Sequence, residues 1–147
     1  MTEQVAVEIR PLGLADYEAI CGVWEASGVR LQRTGRESYE AFSQQMATGL
    51  QTILGAIVDG KLAGIVLATH DGRKGWINRL GVLPEFQRRG VGAALVSAAE
   101  TLLHEQGLTI IAALVEHHNT ASLGLFQREG YLVNDVYYLS KRDHPNA

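Results

Sequence analysis

The amino-acid sequence predicts an α/β domain in which antiparallel hairpins and a parallel crossover share one mixed sheet. Three observations carry this. Apolar residues alternate at a period of two in some stretches and recur at three and four in others, so strands and helices are interspersed. Asp59-Gly60 separates two apolar runs and has the composition of a two-residue hairpin turn, which makes its flanking strands antiparallel. A strand ending near Val82 is followed by a glycine-rich loop, a helix and a further apolar run over 108–115, an order that closes as a right-handed parallel crossover.

Each element has its own justification. Val5, Val7 and Ile9 alternate with Ala6, Glu8 and Arg10 in a first strand that Pro11 is expected to close. Asp16 is placed to cap a helix whose buried stripe is Tyr17, Ile20, Val23 and Trp24, with Gly28 as its stop. A basic connector carrying Arg30, Arg33 and Arg36 leads to a second helix over 37–48, apolar at Tyr39, Phe42 and Met46. Strands follow over 52–58 and 61–69, then a turn-rich stretch over 71–75 and a fourth strand that Pro84 ends, because proline cannot donate to a ladder. In that strand Ile77, Leu80 and Val82 break strict alternation, which predicts a bulge.

From Val91 the spacing becomes helical, with Val91, Ala94, Leu95, Ala98 and Leu102 on one face and Gly107 beyond the end. The continuous apolar run over 108–115 suits a strand covered on both faces. Asn119, Thr120 or Ser122 starts another helix that ends at Gly130, and Tyr131 and residues 135–140 supply the last strands. The expectation is six to seven strands and about four helices in a single domain over 1–147, without repeats or linkers.

Composition narrows the function classes. A 147-residue chain with 46% hydrophobic and 20% charged residues is ordinary for a folded domain, and its net charge of −3 argues against general nucleic-acid binding. No apolar run reaches the roughly 18 residues of a membrane span, and no signal-peptide pattern is present. The lone Cys21 has no disulfide partner within the chain; it reads as packing, with a nucleophilic role as the alternative. A cytoplasmic location is expected.

Between the fourth strand and the following helix lies Gln87-Arg88-Arg89-Gly90-Val91-Gly92. The first amides of a helix have no internal partner and sit at the positive end of its dipole. Glycines let an anion approach that bare backbone, and two arginines add charge, so the loop is suited to phosphate. It lacks the Lys-Ser/Thr of a Walker loop, and Leu95 stands where a dinucleotide fingerprint has its third glycine. A solvated Arg-Arg-Gly turn is the alternative.

This segment resembles the acyl-coenzyme A signature of the GNAT superfamily of N-acetyltransferases, R/Q-x-x-G-x-G/A after a strand that ends in an apolar-Val-x-Pro turn. The resemblance implies the GNAT fold, with two parallel strands splayed by a bulge to open the cofactor slot. It also implies that Gln87, Arg88, Arg89, Gly90, Val91, Gly92 and Ala93 grip the pyrophosphate of acetyl-CoA, and that Leu80, Gly81 and Val82 pair with its pantetheine arm. A second stretch, Asn119-x-x-Ser122-x-x-Leu125-Phe126-x-x-x-Gly130-Tyr131, resembles the family's N-x-x-A/S-x-x-L-Y-x-x-x-G-F/Y. By that likeness Asn119, Ser122 and Phe126 border the cofactor; Asn119 also reads as a plain helix cap.

One departure bears on catalysis. The tyrosine that protonates the leaving thiolate in many relatives falls at Phe126, which has no hydroxyl. Tyr131, Tyr137, Tyr138 or water then remains as donor, or the enzyme is slower for want of one. A lysine-like acceptor amine, with a free pKa of about 10.4, needs a base or a desolvating pocket. Glu116 is the first candidate by position, ahead of His117 and His118, with an exposed charged turn as its alternative. The adjacent histidines do not suggest a metal site, since neighbouring strand side chains point apart and no third ligand is near.

On the acceptor side, the connector arginines are able to hold a carboxylate or phosphate, or simply to be solvated. Trp76 and Asn78 alternate onto one face and are expected to line the acceptor pocket. The likeness therefore implies direct acetyl transfer from acetyl-CoA to a primary amine, without metal, and leaves a small metabolite or a protein amine as acceptor; the compact chain, with no accessory recognition segment, favours the small molecule. A homodimer is a further expectation from the family. The rivals are a non-catalytic CoA-binding sensor or interaction module, a protein N-acetyltransferase, and a loop that takes another phosphate ligand such as a nucleotide.

Overall fold

The computed structural model describes residues 5–145 and 147 of the chain. Five strands form one sheet in sequence order: β1 (Glu8–Leu12), β2 (Gln51–Val58), β3 (Lys61–His70), β4 (Gly75–Val82) and β5 (Ile111–Ala113). The first four are antiparallel, and β5 runs parallel to β4. Helices α1 (Tyr17–Ala26) and α2 (Tyr39–Ala47) cover one face; α3 (Val91–Glu105) and α4 (Thr120–Arg128) cover the other.

Strand alternation sorts the two cores. Leu54, Ala56 and Val58 of β2 point toward α3, whereas Ile53 joins Ile20, Trp24 and Phe42 under α1 and α2. The buried stripe of α3 runs Val91, Leu95, Ala99 and Leu103 with Val96, and Ala98 and Leu102 pack at its margin. The buried face is thus shifted by about one position from the expected one. Ser38 caps α2 by accepting from the Ala41 N–H at 3.2 Å, so that helix begins at Tyr39 rather than at Glu37.

The bulge in β4 is present. Ile65 pairs with Gly81 and Leu67 with Asn78, so two residues of β4 lie opposite Val66 alone. Arg79 takes a left-handed φ of 52° there. One inserted residue resets the alternation: Ile77 faces the α3 core, and so do Leu80 and Val82 beyond the bulge.

Three expectations are corrected. Pro11 does not close β1 but lies within it; β1 is an edge strand, where a missing N–H costs no ladder bond. The apolar run over 108–115 is a strand only at Ile111–Ala113, and its flanks Ile110 and Leu114 are about half exposed rather than covered. Residues 131–140 form no strand, so the sheet has five strands among the described residues instead of six to seven. Extended apolar sequence becomes a strand only where a partner edge receives it, and here no ladder reaches this segment.

Candidate active site

The parallel pairing of β4 with β5 covers only Gly75 with Ile111, Trp76 with Ala112 and Ile77 with Ala113. At the next residue β4 enters its bulge and the two chains part. Asn78, Leu80, Gly81 and Val82 therefore lie along a stretch of β4 with no strand on its β5 side, which is the splayed slot that the sequence predicts. Gly81 is buried beside the end of α1, where an added Cβ would lie 2.2 Å from Ser27 Oγ, so a side chain there would force Ser27 to move.

The loop closes one end of the slot. Gln87 donates from Nε2 to the Val82 carbonyl at 3.0 Å and ties the loop to the end of β4. Arg88 and Gly90 both adopt positive φ, 63° and 85°. Gly90 stands at the N-cap of α3 and supplies no side-chain cap, and the first turn holds no acidic residue. The amides of Val91, Gly92 and Ala93 are thus left for an outside acceptor, with Arg88 and Arg89 exposed beside them. These residues fit a pyrophosphate.

Asn119 caps α4 through Oδ1, which accepts from the Ser122 N–H at 3.1 Å; its amide N–H groups are not used by that cap. Phe126 is buried in the α3–α4 core, edge-on to Tyr131 with centroids 5.0 Å apart. The Tyr131 hydroxyl donates to Glu100 Oε2 of α3 at 2.8 Å. Burial first, and then that hydrogen bond, push its pKa well above the usual phenol value. Glu116 is exposed on the turn three residues past the end of β5, and its carbonyl accepts from the Asn119 N–H at 2.9 Å. His117 and His118 share that exposed turn, and among the described residues no cluster suited to a metal occurs.

On the opposite face of β4 is a cleft of about 250 Å³ between α1, α2 and the sheet. Its floor is a charged cluster that the sequence did not reveal. Glu37, the one buried charged residue among those described, accepts from Arg79 Nη2, from Arg36 Nε at 3.0 Å and from the Gln32 N–H at 2.7 Å. Arg79 also donates to the Arg30 carbonyl at 3.0 Å and lies 5.7 Å over the Trp24 ring. Its own carbonyl accepts from Trp24 Nε1 at 2.7 Å. Burial lowers the Arg79 pKa, against the opposing pull of Glu37. A charge inside an otherwise apolar strand was the available signal, since such a group demands a partner.

The connector arginines are largely spoken for. Arg33 bonds Glu18 at 2.9 Å, approaches Glu25 at 3.7 Å and stacks 5.4 Å over Tyr17, and Arg36 bonds Glu37. Arg30 makes no ion pair among the described residues. Asn78 and Trp76 are half-buried on β4; the Lys74 ammonium covers the Trp76 ring at 5.6 Å. Cys21 is buried in α1 with its pKa raised by burial, which suits packing and not nucleophilic attack.

The profile of the Acetyltransferase (GNAT) family matches residues 18–131. Solved structures share the fold. A PaiA N-acetyltransferase from Thermoplasma acidophilum, in complex with coenzyme A, is 22% identical over 90% of this chain and 94% of its own, with a TM-score of 0.79. An aminoglycoside N-acetyltransferase AAC(6')-Iy in complex with CoA is 18% identical over 98% and 99%, at 0.74. A ribosomal-protein-alanine N-acetyltransferase from Brucella melitensis biovar Abortus 2308 is 17% identical over 93% and 100%, at 0.75.

Proposed function

Because the chain belongs to the GNAT acetyltransferase family, we propose that it moves the acetyl group of acetyl-CoA directly to a primary amine of a small molecule. The observation that carries this reading is the open stretch of β4 running into a helix N-terminus that no side chain caps. A ligand with an extended amide-bearing arm and a pyrophosphate matches both parts: the arm adds to the free strand edge, and the phosphates take the amides of Val91, Gly92 and Ala93. The loop residues Gln87, Arg88, Arg89 and Gly90 complete that grip, with Asn119 and Ser122 on the far wall.

The acceptor amine enters from the cleft beside Trp24 and Arg79. A volume of about 250 Å³ suits a small molecule or one side chain. Glu116 takes the amine proton, directly or through water, and Asn78 orients the amine at the bulge. The free amine attacks the thioester carbonyl, the oxyanion is held by backbone N–H near Val82, and the thiolate departs. Tyr131 is a poor donor to that thiolate because its proton is held by Glu100 and its pKa is raised. Solvent fills the role; a thiolate with a pKa of about 8.5 leaves without much help. The buried free thiol of Cys21 suits a reducing, cytoplasmic setting.

The test is calorimetry with acetyl-CoA on the wild type and Gly90→Glu, followed by thiol release with a panel of amines. Binding that the variant loses, together with release, supports the transferase. Binding without release on any amine supports a CoA sensor instead. Absence of binding overturns the reading.

A further inference from the structure

The cleft on the α1–α2 side of β4 has a sign. Its charged lining is Arg36 and Arg79 against Glu37 alone, a surplus of positive charge in a chain whose net charge is −3. Apolar walls concentrate such a field, and here Trp24, Phe42 and Leu67 supply them. The rim adds to it: Arg36 also borders a shallow neighbouring cleft with Lys141 and Arg142, where Asp143 is the one acidic side chain.

The carboxylate is closed to an incoming cation. Glu37 Oε1 already accepts from Arg79 Nη2 and Arg36 Nε, and Oε2 accepts from the Gln32 N–H. An ammonium group would meet the two guanidiniums first. Those guanidiniums keep donors in reserve. Arg36 commits only Nε, so Nη1 and Nη2 have no partner among the described residues, and its side chain is 41% exposed. Arg79 commits Nη1 and Nη2 and leaves Nε. A planar guanidinium with two open N–H groups matches the two oxygens of an anion. Glu37 also sets the charge of the guest. Two guanidiniums alone would suit a dianion such as a phosphate monoester; with Glu37 between them the surplus suits a carboxylate.

We propose that the acceptor is a small amine that itself carries a carboxylate and an apolar body, in chemical class an amino acid. The inference rests on the acetyl-transfer reading and decides the sign of its second substrate. The carboxylate takes the open Nη groups of Arg36, with Arg79 beneath it; the apolar body lies against Trp24 and Phe42; the amine is left toward the bulge. There the N–C bond forms as the C–S bond breaks, the amine proton passes to a base or solvent, and the products are an N-acetyl amino acid and CoA. Polycationic amines, aminoglycosides and polyamines among them, are repelled, since a shared fold does not carry a shared acceptor.

The experiment follows thiol release by the full chain at saturating acetyl-CoA. Leucine and phenylalanine are each compared with their carboxamides, alongside O-phosphoethanolamine, spermidine and an aminoglycoside. The carboxamide loses the charge and has the less basic amine, which by itself would favour it. Instead kcat/KM is expected to favour the carboxylate by roughly 10- to 100-fold, the worth of hydrogen bonds to a charged group. Arg36→Met, at the exposed rim, should bring that ratio near one by raising the KM for the acid, with acetyl-CoA affinity by calorimetry retained. A preference for the carboxamides, the phosphate, spermidine or the aminoglycoside overturns the proposal and leaves the transferase standing, as does a ratio that Arg36→Met does not move. Faster transfer from succinyl-CoA than from acetyl-CoA onto the carboxamides also overturns it, by placing the anion on the donor. Bound acetyl-CoA without thiol release on any amine is instead a failure of the transferase reading. Calorimetry of leucine against leucinamide on the CoA-loaded chain then decides: equal binding, or none, overturns the anion site.

Discussion

Replacing Glu37 by Gln tests whether the charged floor of the cleft holds the bulge of β4. The Glu37 side chain is 10% exposed and that of Arg79 21%, so the pair is mostly out of water. Removing one member of a buried pair costs about 3–5 kcal/mol, because the other charge is stranded. Arg79 keeps the Arg30 carbonyl and the Trp24 ring, which places the loss near the lower end, about 3 kcal/mol. For a domain of this size that lowers Tm by roughly 6–12 °C. Arg79→Met should cost less, about 2 kcal/mol, since Glu37 retains Arg36 and the Gln32 N–H. In a urea-denaturation cycle the double variant should lose less than the sum, by about 2 kcal/mol. A Glu37→Gln protein within about 0.5 kcal/mol of wild type, or additive losses, would refute the argument by reducing the cluster to a surface ion pair. Because Arg79 occupies the bulge, the same variant should weaken acetyl-CoA binding several-fold by calorimetry; unchanged binding at lowered stability would separate the cluster from the slot.

Further tests follow from single contacts. Gln87→Ala removes the bond to the Val82 carbonyl and, at about 1 kcal/mol, should raise the KM for acetyl-CoA about five-fold with kcat little changed; a fall confined to kcat would contradict the clamp. Glu116→Gln should lower kcat by roughly 10²-fold or more if the carboxylate takes the amine proton, and a wild-type pH–rate profile in the variant would remove it from that role. Ser38→Ala should cost about 1 kcal/mol, read as a Tm lower by roughly 2–4 °C, through loss of the α2 cap. The raised pKa of Tyr131 means that folding favours its protonated form. Its contribution to stability is present in full below the unfolded value near 10 and is lost as pH rises through the higher folded value. The wild type minus Tyr131→Phe difference in tyrosinate absorbance should therefore stay near zero at pH 10 and grow only above it; a difference already present at pH 10 would mean that the Glu100 bond is not made.

Much of this fold is written locally. The bulge is legible because Ile77, Leu80 and Val82 must all reach the α3 core, which a strict alternation cannot do. The loop is legible because a strand, two glycines and a helix start fall within a few residues, and neighbours along the chain stay neighbours in space. The Glu37–Arg79 pair was hidden by its separation of 42 residues: nothing near Glu37 distinguishes it from a solvated first-turn carboxylate. Tyr131 stands among the candidate proton donors in the sequence, and its hydrogen bond is not legible there because its partner Glu100 lies 31 residues earlier, on α3. The last strands failed for a related reason. Residues 132–139 have strand composition, but a strand is a relation between two segments, and composition reports only one of them.

A five-strand open sheet is normally said to have two rims, both exposed to collision with other chains. The parting of β4 and β5 after Ile77 gives this sheet a third rim, set inside it. A free rim is useful for gripping an extended molecule by its amides, and dangerous because any extended chain competes for it. This one begins where β5 ends and runs to the loop that Gln87 ties to Val82, so it is a short edge, only a few residues long, suited to a thin extended arm. The molecule thereby acquires the adhesive property of an unfinished sheet over a stretch that begins inside the sheet and not at either of its outer strands.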